Sequence, residues 1–436
     1  MSPRSRRLVC RALAALLLAA LFSPQAWAQA DGGEVLALTG ATVHPVSGPP
    51  LPGATVLVQG GLITALGTGV AVPRGARVVE LEGRHLYPGF VQSISTLGLV
   101  EVSSVRGTRD INEIGESNSD LRAEVAFNAD SFRLTPAMRG GVLTAHVHQL
   151  SGLFSGTTAI MRLDGWNWRD MTLEAPAGMV LVFPRVRQSS DDEEDENQGK
   201  ELAALNDLMD RAAAYTKARD ADSPGLGRNA KLEALAPVLD GTRRLYVLAF
   251  GRATLDAALD WIESQELENV VLVVNYEARY FAQRLADAGL PVILNSVLAQ
   301  PSRSFEPYDA AYTAAAALHE AGVEMAINGN GDAFGSANAR NLPFHAAMAA
   351  AHGLPKDVAL ESVTLAPARI LGIADRVGSI EAGKEATFFV SDGDPLEIVT
   401  AIERVWIAGR EVDLEDDHQY RLYQKYWNRP RPDAGE

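Results

Sequence analysis

Two histidines, His146 and His148, are the side chains whose type and spacing best fit metal chemistry. They follow a predicted strand, and residues two apart on a strand point to the same face. Imidazole nitrogen is a preferred zinc ligand, and a carboxylate such as Glu101, Glu277 or Asp332 would supply an oxygen ligand. The alternative is that the two histidines form a hydrogen-bonded polar wall without a metal. The spacing indicates a candidate zinc site and leaves both interpretations open.

The sequence offers few groups for catalysis without a metal. Cys10 is the only cysteine, and no Gly-x-Ser-x-Gly motif presents a serine nucleophile. Arg252 and Arg122 could each clamp a carboxylate with two parallel hydrogen bonds, although ion pairs within the protein are the commoner role of such arginines. Asn275 and Glu277 follow a predicted strand and are further candidates for ligand binding.

Apolar runs alternate with helical patterns through the middle of the chain and would position these side chains. They predict eight strands at residues 89–95, 142–148, 158–163, 179–183, 245–250, 270–275, 291–295 and 323–328, and Ala-rich helices at 310–321 and 341–352. A right-handed βα series of eight closes into a (β/α)8 barrel of the TIM type, in which sites lie at the C-terminal ends of the strands. The third strand could be replaced by a loop. Shorter β patterns at both chain ends predict one small β-sandwich.

Several motifs, in this order and spacing, carry a resemblance to a known family. They are YPGFVQSISTLG at residues 87–98, NSDLRA at 118–123, GGVLTA at 140–145, SGLFSGTT at 151–158, LDGW at 163–166, SVTLAPA at 362–368 and GSIEAGK at 378–384. Together they resemble secreted, imidazolonepropionase-like members of the amidohydrolase superfamily. The resemblance implies the same barrel and sandwich, and a hydrolase of non-peptide C–N bonds.

The first metal-binding motif of that family is altered here. The resemblance implies Asp-x-His-x-His after the Pro-Gly of the first barrel strand. Gln92 stands in place of the aspartate, and Ile94 and Thr96 stand in place of the histidines. Isoleucine cannot bind zinc, and a threonine hydroxyl is a poor ligand beside imidazole or carboxylate.

The remaining family positions also lack the expected ligands. The histidine expected after the fifth strand falls on Ala249, or on Leu248 with a shift of one residue, and the histidine of the sixth falls near Asn275. The catalytic aspartate after the eighth strand falls on Asn330, and a shift of two residues would restore it as Asp332. Because the family uses its metal to lower the pKa of a bound water, these changes predict loss of the ordinary chemistry.

Composition and charge limit the possible location and partners of the protein. The chain has 436 residues and a formal charge of −16, which argues against nucleic acid or an anionic membrane as a partner. Residues 1–28 combine an arginine-rich start, a short apolar run and a small-x-small end, typical of a secretory signal. The pair Arg6 and Arg7 also resembles a twin-arginine signal, so either export route is open. We expect a periplasmic or secreted protein.

These observations predict a signal peptide at residues 1–28, sandwich segments at 29–86 and 376–415, the barrel at 87–375 and a tail at 416–436. The acidic run at residues 191–196 is expected to be a solvated loop or insertion. The first functional hypothesis is a degenerate, non-catalytic barrel without a cofactor. It would bind a small-molecule or peptide-like ligand, or form an oligomer with an active amidohydrolase. The alternative is an active C–N hydrolase with zinc relocated to His146 and His148.

Overall fold

A computed structural model describes residues 34–186, 192–415 and 418–429 of the protein. The predicted signal segment, residues 1–28, lies outside the described residues. No helix in the described part of the chain is both long and apolar enough to cross a membrane.

Eight described strands form the barrel sheet, and the predicted eight strand positions are confirmed. They are β6 (Phe90–Ser95), β7 (Val142–Val147), β8 (Phe154–Arg162), β9 (Thr172–Val182), β10 (Leu245–Leu248), β11 (Val270–Val274), β12 (Val292–Asn295) and β13 (Met325–Asn328). The strands are hydrogen-bonded in sequence order from β6 to β13. Inward-facing apolar side chains such as Val91, Tyr246 and Ile293 form a core inside the barrel, and outward-facing ones pack in a second, larger core with the helices.

The expected uninterrupted βα series is wrong at the third strand, because β8 runs antiparallel to both β7 and β9. Only residues 148–153 separate β7 from β8, and the connection from β8 to β9 contains the four-residue helix Trp168–Met171. Parallel neighbours need a crossover of roughly a dozen residues or more, so these short connections can only reverse the chain direction. The C-terminal end of β8 therefore lies at the face opposite the other strand tips.

The seam between β13 and β6 is closed by one side chain. The Asn328 Oδ1 accepts hydrogen bonds from the Ile94 N–H at 3.2 Å and the Ser93 hydroxyl at 3.1 Å. The Asn328 Nδ2 donates to the Ile94 carbonyl at 3.1 Å and to the Asn295 Oδ1 at 2.9 Å. A carboxamide has the donor and acceptor pair of a peptide unit, so the Asn328 side chain takes the place of a ladder rung.

The second module uses both ends of the chain, as predicted. Its described strands are β1 (Leu36–Val43), β2 (Leu51–Gln59), β3 (Leu62–Gly67), β4 (Arg77–Glu80), β5 (His85–Pro88), β14 (Phe388–Ser391), β15 (Ile402–Ile407) and β16 (Arg410–Val412). They pair in the order β16-β15-β14-β5-β1-β2-β3, with β4 beside β1, around a separate core that includes Leu38, Ile63 and Trp406. Strands β2 and β3 form a hairpin, and both glycines of its turn, Gly60 and Gly61, have positive φ.

The described helices surround the barrel. In chain order they are α1 (Ala123–Ala126), α2 (Leu134–Arg139), α3 (Trp168–Met171), α4 (Asp192–Asp220), α5 (Ala230–Leu239), α6 (Arg252–Ser264), α7 (Ala282–Asp287), α8 (Ala314–Glu320), α9 (Leu342–Ala351), α10 (Lys356–Glu361), α11 (Leu365–Leu371) and α12 (His418–Trp427). The acidic run was expected to be a solvated loop or insertion, and the loop is wrong for residues 192–196, whose backbone begins α4. The tail helix α12 contacts the barrel through Tyr420, whose ring lies 4.5 Å below the Arg139 guanidinium of α2.

Candidate functional site

A cavity of about 250 Å³ opens at the barrel mouth, where most strand tips meet. It is lined by Ile94, His148, Leu150, Leu248, Phe250, Val273, Asn295, Asn330, Gly331 and Asp332. The structure therefore brings three of the predicted site residues together here: His148, Asn330 and Asp332. Its walls are otherwise largely apolar.

The tip of β6 presents an apolar side chain to this cavity. Ile94 lines the cavity, whereas Gln92 lies near His345 and Gly329 on the helix side of the barrel. Thr96 is buried, and its Oγ1 has no hydrogen-bond partner among the described residues. The three positions where the resemblance implies Asp-x-His-x-His thus hold no imidazole or carboxylate.

At the tip of β10, the structure distinguishes the two positions expected for a metal ligand. Ala249 is buried in the core outside the barrel, whereas Leu248 and Phe250 line the mouth cavity. Side chains alternate along a strand, so the residues on either side of Ala249 face the mouth. The sequence motif left Ala249 and Leu248 open for this position, and the structure places Leu248 at the mouth.

His146 and His148 are both buried and neutral. The His146 Nδ1 donates to the Ser93 carbonyl at 2.8 Å, and the His148 Nδ1 donates to the Gln149 carbonyl at 3.0 Å. Burial away from water lowers the pKa of His146 to about 3 and that of His148 to about 4. The His146 ring lies against Tyr246, with 4.5 Å between centroids, and its Nε2 has no hydrogen-bond partner in the described structure.

The carboxylates proposed to join these histidines are engaged elsewhere. Glu101 accepts a hydrogen bond from the Asn128 side chain at 2.9 Å. Glu277 lines a different groove, described below. Within the described residues, no three histidine, cysteine, aspartate or glutamate side chains are grouped so that they could hold a metal ion. The donor set around His146 and His148 therefore does not fit zinc.

Asp332 and Asn330, the candidate catalytic residues, lie at the edge of the mouth. The Asp332 Oδ1 accepts from the N–H groups of Phe334 and Gly335 at 2.9 and 2.7 Å, and its Oδ2 accepts from the Asn330 Nδ2 at 3.1 Å. Asp332 is exposed and holds the turn after β13. The residue at the strand tip itself is Asn328, which sequence reasoning passed over although it ends the predicted strand.

A second, larger groove of about 900 Å³ adjoins the mouth and shares Leu248 and Phe250 with it. The three predicted binding residues Arg252, Asn275 and Glu277 all line this groove. Arg122 does not belong to it, because its guanidinium pairs with Glu124 at 2.6 Å. Of the two arginines considered as a carboxylate clamp, Arg252 lines this groove and Arg122 does not.

A buried carboxylate organises one side of the groove. The Glu306 Oε2 accepts from the Tyr276 hydroxyl at 2.6 Å and from the Arg303 N–H at 3.3 Å, and the Arg252 Nη2 lies 3.9 Å from Oε1. Burial raises the pKa of Glu306, but these hydrogen bonds outweigh it and hold the pKa below its usual value. Glu306 is therefore an anion that orients the residues around Arg252.

Known proteins with similar sequences and structures share this architecture. The model of the amidohydrolase family matches residues 259–412. The fold superposes on an amidohydrolase from Thermotoga maritima with a TM-score of 0.76 and 25% identity, covering 87% of this chain and 99% of that one. The chain belongs to the amidohydrolase superfamily. An adenosine deaminase from Xanthomonas campestris with bound zinc shares the fold, with a TM-score of 0.52 and 19% identity over 90% of this chain and 97% of that one.

One curated relative of this amidohydrolase-superfamily chain is much longer than the matched region. The amidohydrolase tasK of Hapsidospora irregularis is 27% identical over 394 residues. The match covers 81% of this chain but only 39% of that protein. In that relative, a domain similar to this chain is joined to a long stretch of further polypeptide.

Proposed function

We propose that this chain is an exported amidohydrolase-superfamily protein with a degenerate metal site, which binds a ligand or a partner and does not hydrolyse C–N bonds. The observation that carries the proposal is the set of apolar side chains, Ile94, Leu248 and Val273, at the mouth ends of three barrel strands. A hydrolase of this superfamily needs metal ligands at strand tips. Apolar walls instead suit binding of an organic ligand.

The chemistry of Asn328 also supports the proposal. A proton-accepting carboxylate at the tip of the last strand cannot donate a hydrogen bond. Asn328 uses its amide donor to close the barrel seam against the Ile94 carbonyl. The seam thus depends on a group that cannot serve as a general base.

A partner role is supported by the length of the curated relative. There the matched domain occupies 39% of the polypeptide, so it works beside other segments of the same protein. We infer by analogy that this chain also works beside a second protein unit, such as an active amidohydrolase.

The second candidate function is an active C–N hydrolase with zinc held by His146 and His148. It is favoured by one observation, the unpartnered Nε2 of a neutral, buried His146. Neutral imidazole nitrogen is the form that binds zinc. The absence of a carboxylate close to both histidines among the described residues weighs against it.

The two candidates differ in zinc-dependent turnover. We expect purified mature protein to hydrolyse neither cyclic amides nor dipeptides above background, with or without added zinc, because no ligand cluster among the described residues could hold a metal that activates water. The measurement is a product assay by mass spectrometry, with the His146→Ala/His148→Ala variant as control. Zinc-dependent hydrolysis that this variant loses would overturn the proposal in favour of the second candidate.

A further inference from the structure

The start of helix α6 forms one wall of the large groove and leaves hydrogen-bond donors without acceptors. Gly251 is the N-cap residue and makes no side-chain cap, and the first turn contains no acidic residue. Among the described residues, the backbone N–H groups of Arg252, Ala253 and Thr254 have no acceptor, and all three residues line the groove. Unpaired N–H groups and the helix dipole favour an anion at this position.

The side chain of Arg252 adds a guanidinium to the same place. It stacks on the Tyr280 ring, with Cζ 3.7 Å from the centroid. Its Nε is buried and has no hydrogen-bond partner in the described structure, and its Nη2 is too far from Glu306 for a hydrogen bond. The stacking fixes the guanidinium plane, and the Arg252 Nε keeps a donor that no group in the described structure accepts, which suits a ligand carboxylate.

A buried acceptor lies beside these donors. Glu277 is 4% exposed, and its Oε1 has no hydrogen-bond partner in the described residues, although the Arg303 Nη1 approaches to 3.4 Å. The Asn275 Nδ2 lies 3.5 Å from Oε2 and helps to fix the carboxylate. A Cβ placed on Gly251 would lie 3.7 Å from Oε2, so the carboxylate adjoins the start of α6. A buried carboxylate oxygen that has an ion pair but no hydrogen bond can still accept a donor from a ligand.

We propose that this groove binds a free α-amino acid with an apolar side chain. The ligand carboxylate would receive the α6 N–H groups and the Arg252 fork, and its ammonium would donate to Glu277. An α-amino acid is the class whose anion and cation are one carbon apart, which suits the adjacency of Gly251 and Glu277. This inference rests on the proposed function, because it takes the mouth to bind and not to hydrolyse.

The apolar side chain has a path from the groove into the barrel mouth. Leu248 and Phe250 line both spaces, and Ile94 and Val273 line the mouth beyond them. Burying an aromatic or branched side chain against these residues would strengthen the binding of such a ligand. The groove thus favours large apolar amino acids over small or charged ones.

Calorimetric titration of the mature protein with three matched probes tests the proposal. L-phenylalanine carries both charged groups, 3-phenylpropionate lacks the ammonium, and 2-phenylethylamine lacks the carboxylate. We expect L-phenylalanine to bind at least tenfold more tightly than either analogue. Arg252→Gln and Glu277→Gln should each weaken it at least tenfold, and Arg252→Lys, which keeps the charge but loses the fork, should weaken it less than Arg252→Gln.

Arg228→Gln is the matched control, because Arg228 is exposed and, among the described residues, its ion pair is with Glu233 outside the groove. It should leave affinity unchanged, and melting temperatures establish that each variant is folded. No binding of L-phenylalanine, equal binding of an analogue, or unchanged affinity in both groove variants would overturn the inference. The proposed function would be overturned by a different result, zinc-dependent hydrolysis. Failure of the amino-acid inference and failure of the proposed function can therefore be told apart.

Discussion

Replacing Asn328 by aspartate should lower the free energy of unfolding by about 3–5 kcal/mol at pH 7, the usual cost of an unpaired buried charge. Asn328 is fully buried, and its Nδ2 donates to the Ile94 carbonyl and to the Asn295 Oδ1. An ionised aspartate of the same shape would place an oxygen against both acceptors. Chemical denaturation followed by circular dichroism measures the loss.

Asn295→Asp is the matched control. On the neighbouring strand, the Asn295 Oδ1 accepts from Asn328 and would keep this role as a carboxylate oxygen. We expect this variant to lose less than about 1 kcal/mol. Equal losses in the two variants would contradict the account of the seam.

The destabilisation by Asn328→Asp should depend on pH in a defined direction. Burial and the facing carbonyl raise the pKa of the new carboxyl in the folded state above its unfolded value of about 3.9. The unfolded state then loses its proton first, so the destabilisation grows as pH rises above about 4. At lower pH the protonated acid can donate like the amide, and the difference from Asn328 should shrink.

Replacing Glu385 by glutamine should also cost about 3–5 kcal/mol at pH 7, because it leaves two arginines facing each other with their shared anion removed. Arg162 of β8 donates from Nε and Nη2 at 2.9 and 2.8 Å, and the Arg376 Nη2 donates at 2.6 Å. Glu385 is 8% exposed and pairs with Leu62 of the sandwich. The triad joins the barrel to the second module, so the melting temperature should fall.

Glu411→Gln is the control for this prediction. Glu411 also lies between two arginines, Arg77 at 2.8 Å and Arg404 at 2.6 Å, but this cluster is more exposed. Exposed ion pairs contribute about 0–1 kcal/mol, so the loss should be small. A larger loss for Glu411→Gln than for Glu385→Gln would contradict the role of burial.

The stability difference between the wild type and Glu385→Gln should disappear in acid. Burial raises the pKa of Glu385, but Arg162 and Arg376 outweigh it and hold the folded-state pKa below the ordinary 4.5. Stability from a depressed carboxyl pKa is present above the unfolded value and is lost as pH falls through the folded value. The difference between wild type and Glu385→Gln should therefore shrink below pH 4.5.

The strand positions of the barrel could be predicted because buried strands such as β11 are continuous apolar runs bounded by polar residues. The direction of β8 could not, since an apolar run looks the same in either orientation. The sequence feature that indicates the reversed direction of β8 is the short connection from His148 to Phe154. The acidic run also misled the prediction, because its charge indicates exposure and not whether the backbone is helical.

The site could be predicted in part. Arg252 and Asn275, which the sequence offered as separate candidates for ligand binding, line one groove, because the tips of adjacent parallel strands meet at one face. The inward position of Phe250 and the role of Asn328 at the seam could not be predicted, because they depend on strand register and on side-chain geometry. Glu306, which organises the groove, lies in a loop after β12 with no motif to mark it.

Metal content tests the central claim that the barrel mouth works without a metal. Mature protein purified without chelators, incubated with excess zinc and desalted, would be analysed by elemental mass spectrometry beside the His146→Ala/His148→Ala variant. The account predicts zinc far below one ion per chain, at the same level in both proteins. Near-stoichiometric zinc in the wild type that is lost in the variant would contradict it and establish a metal site at these two histidines.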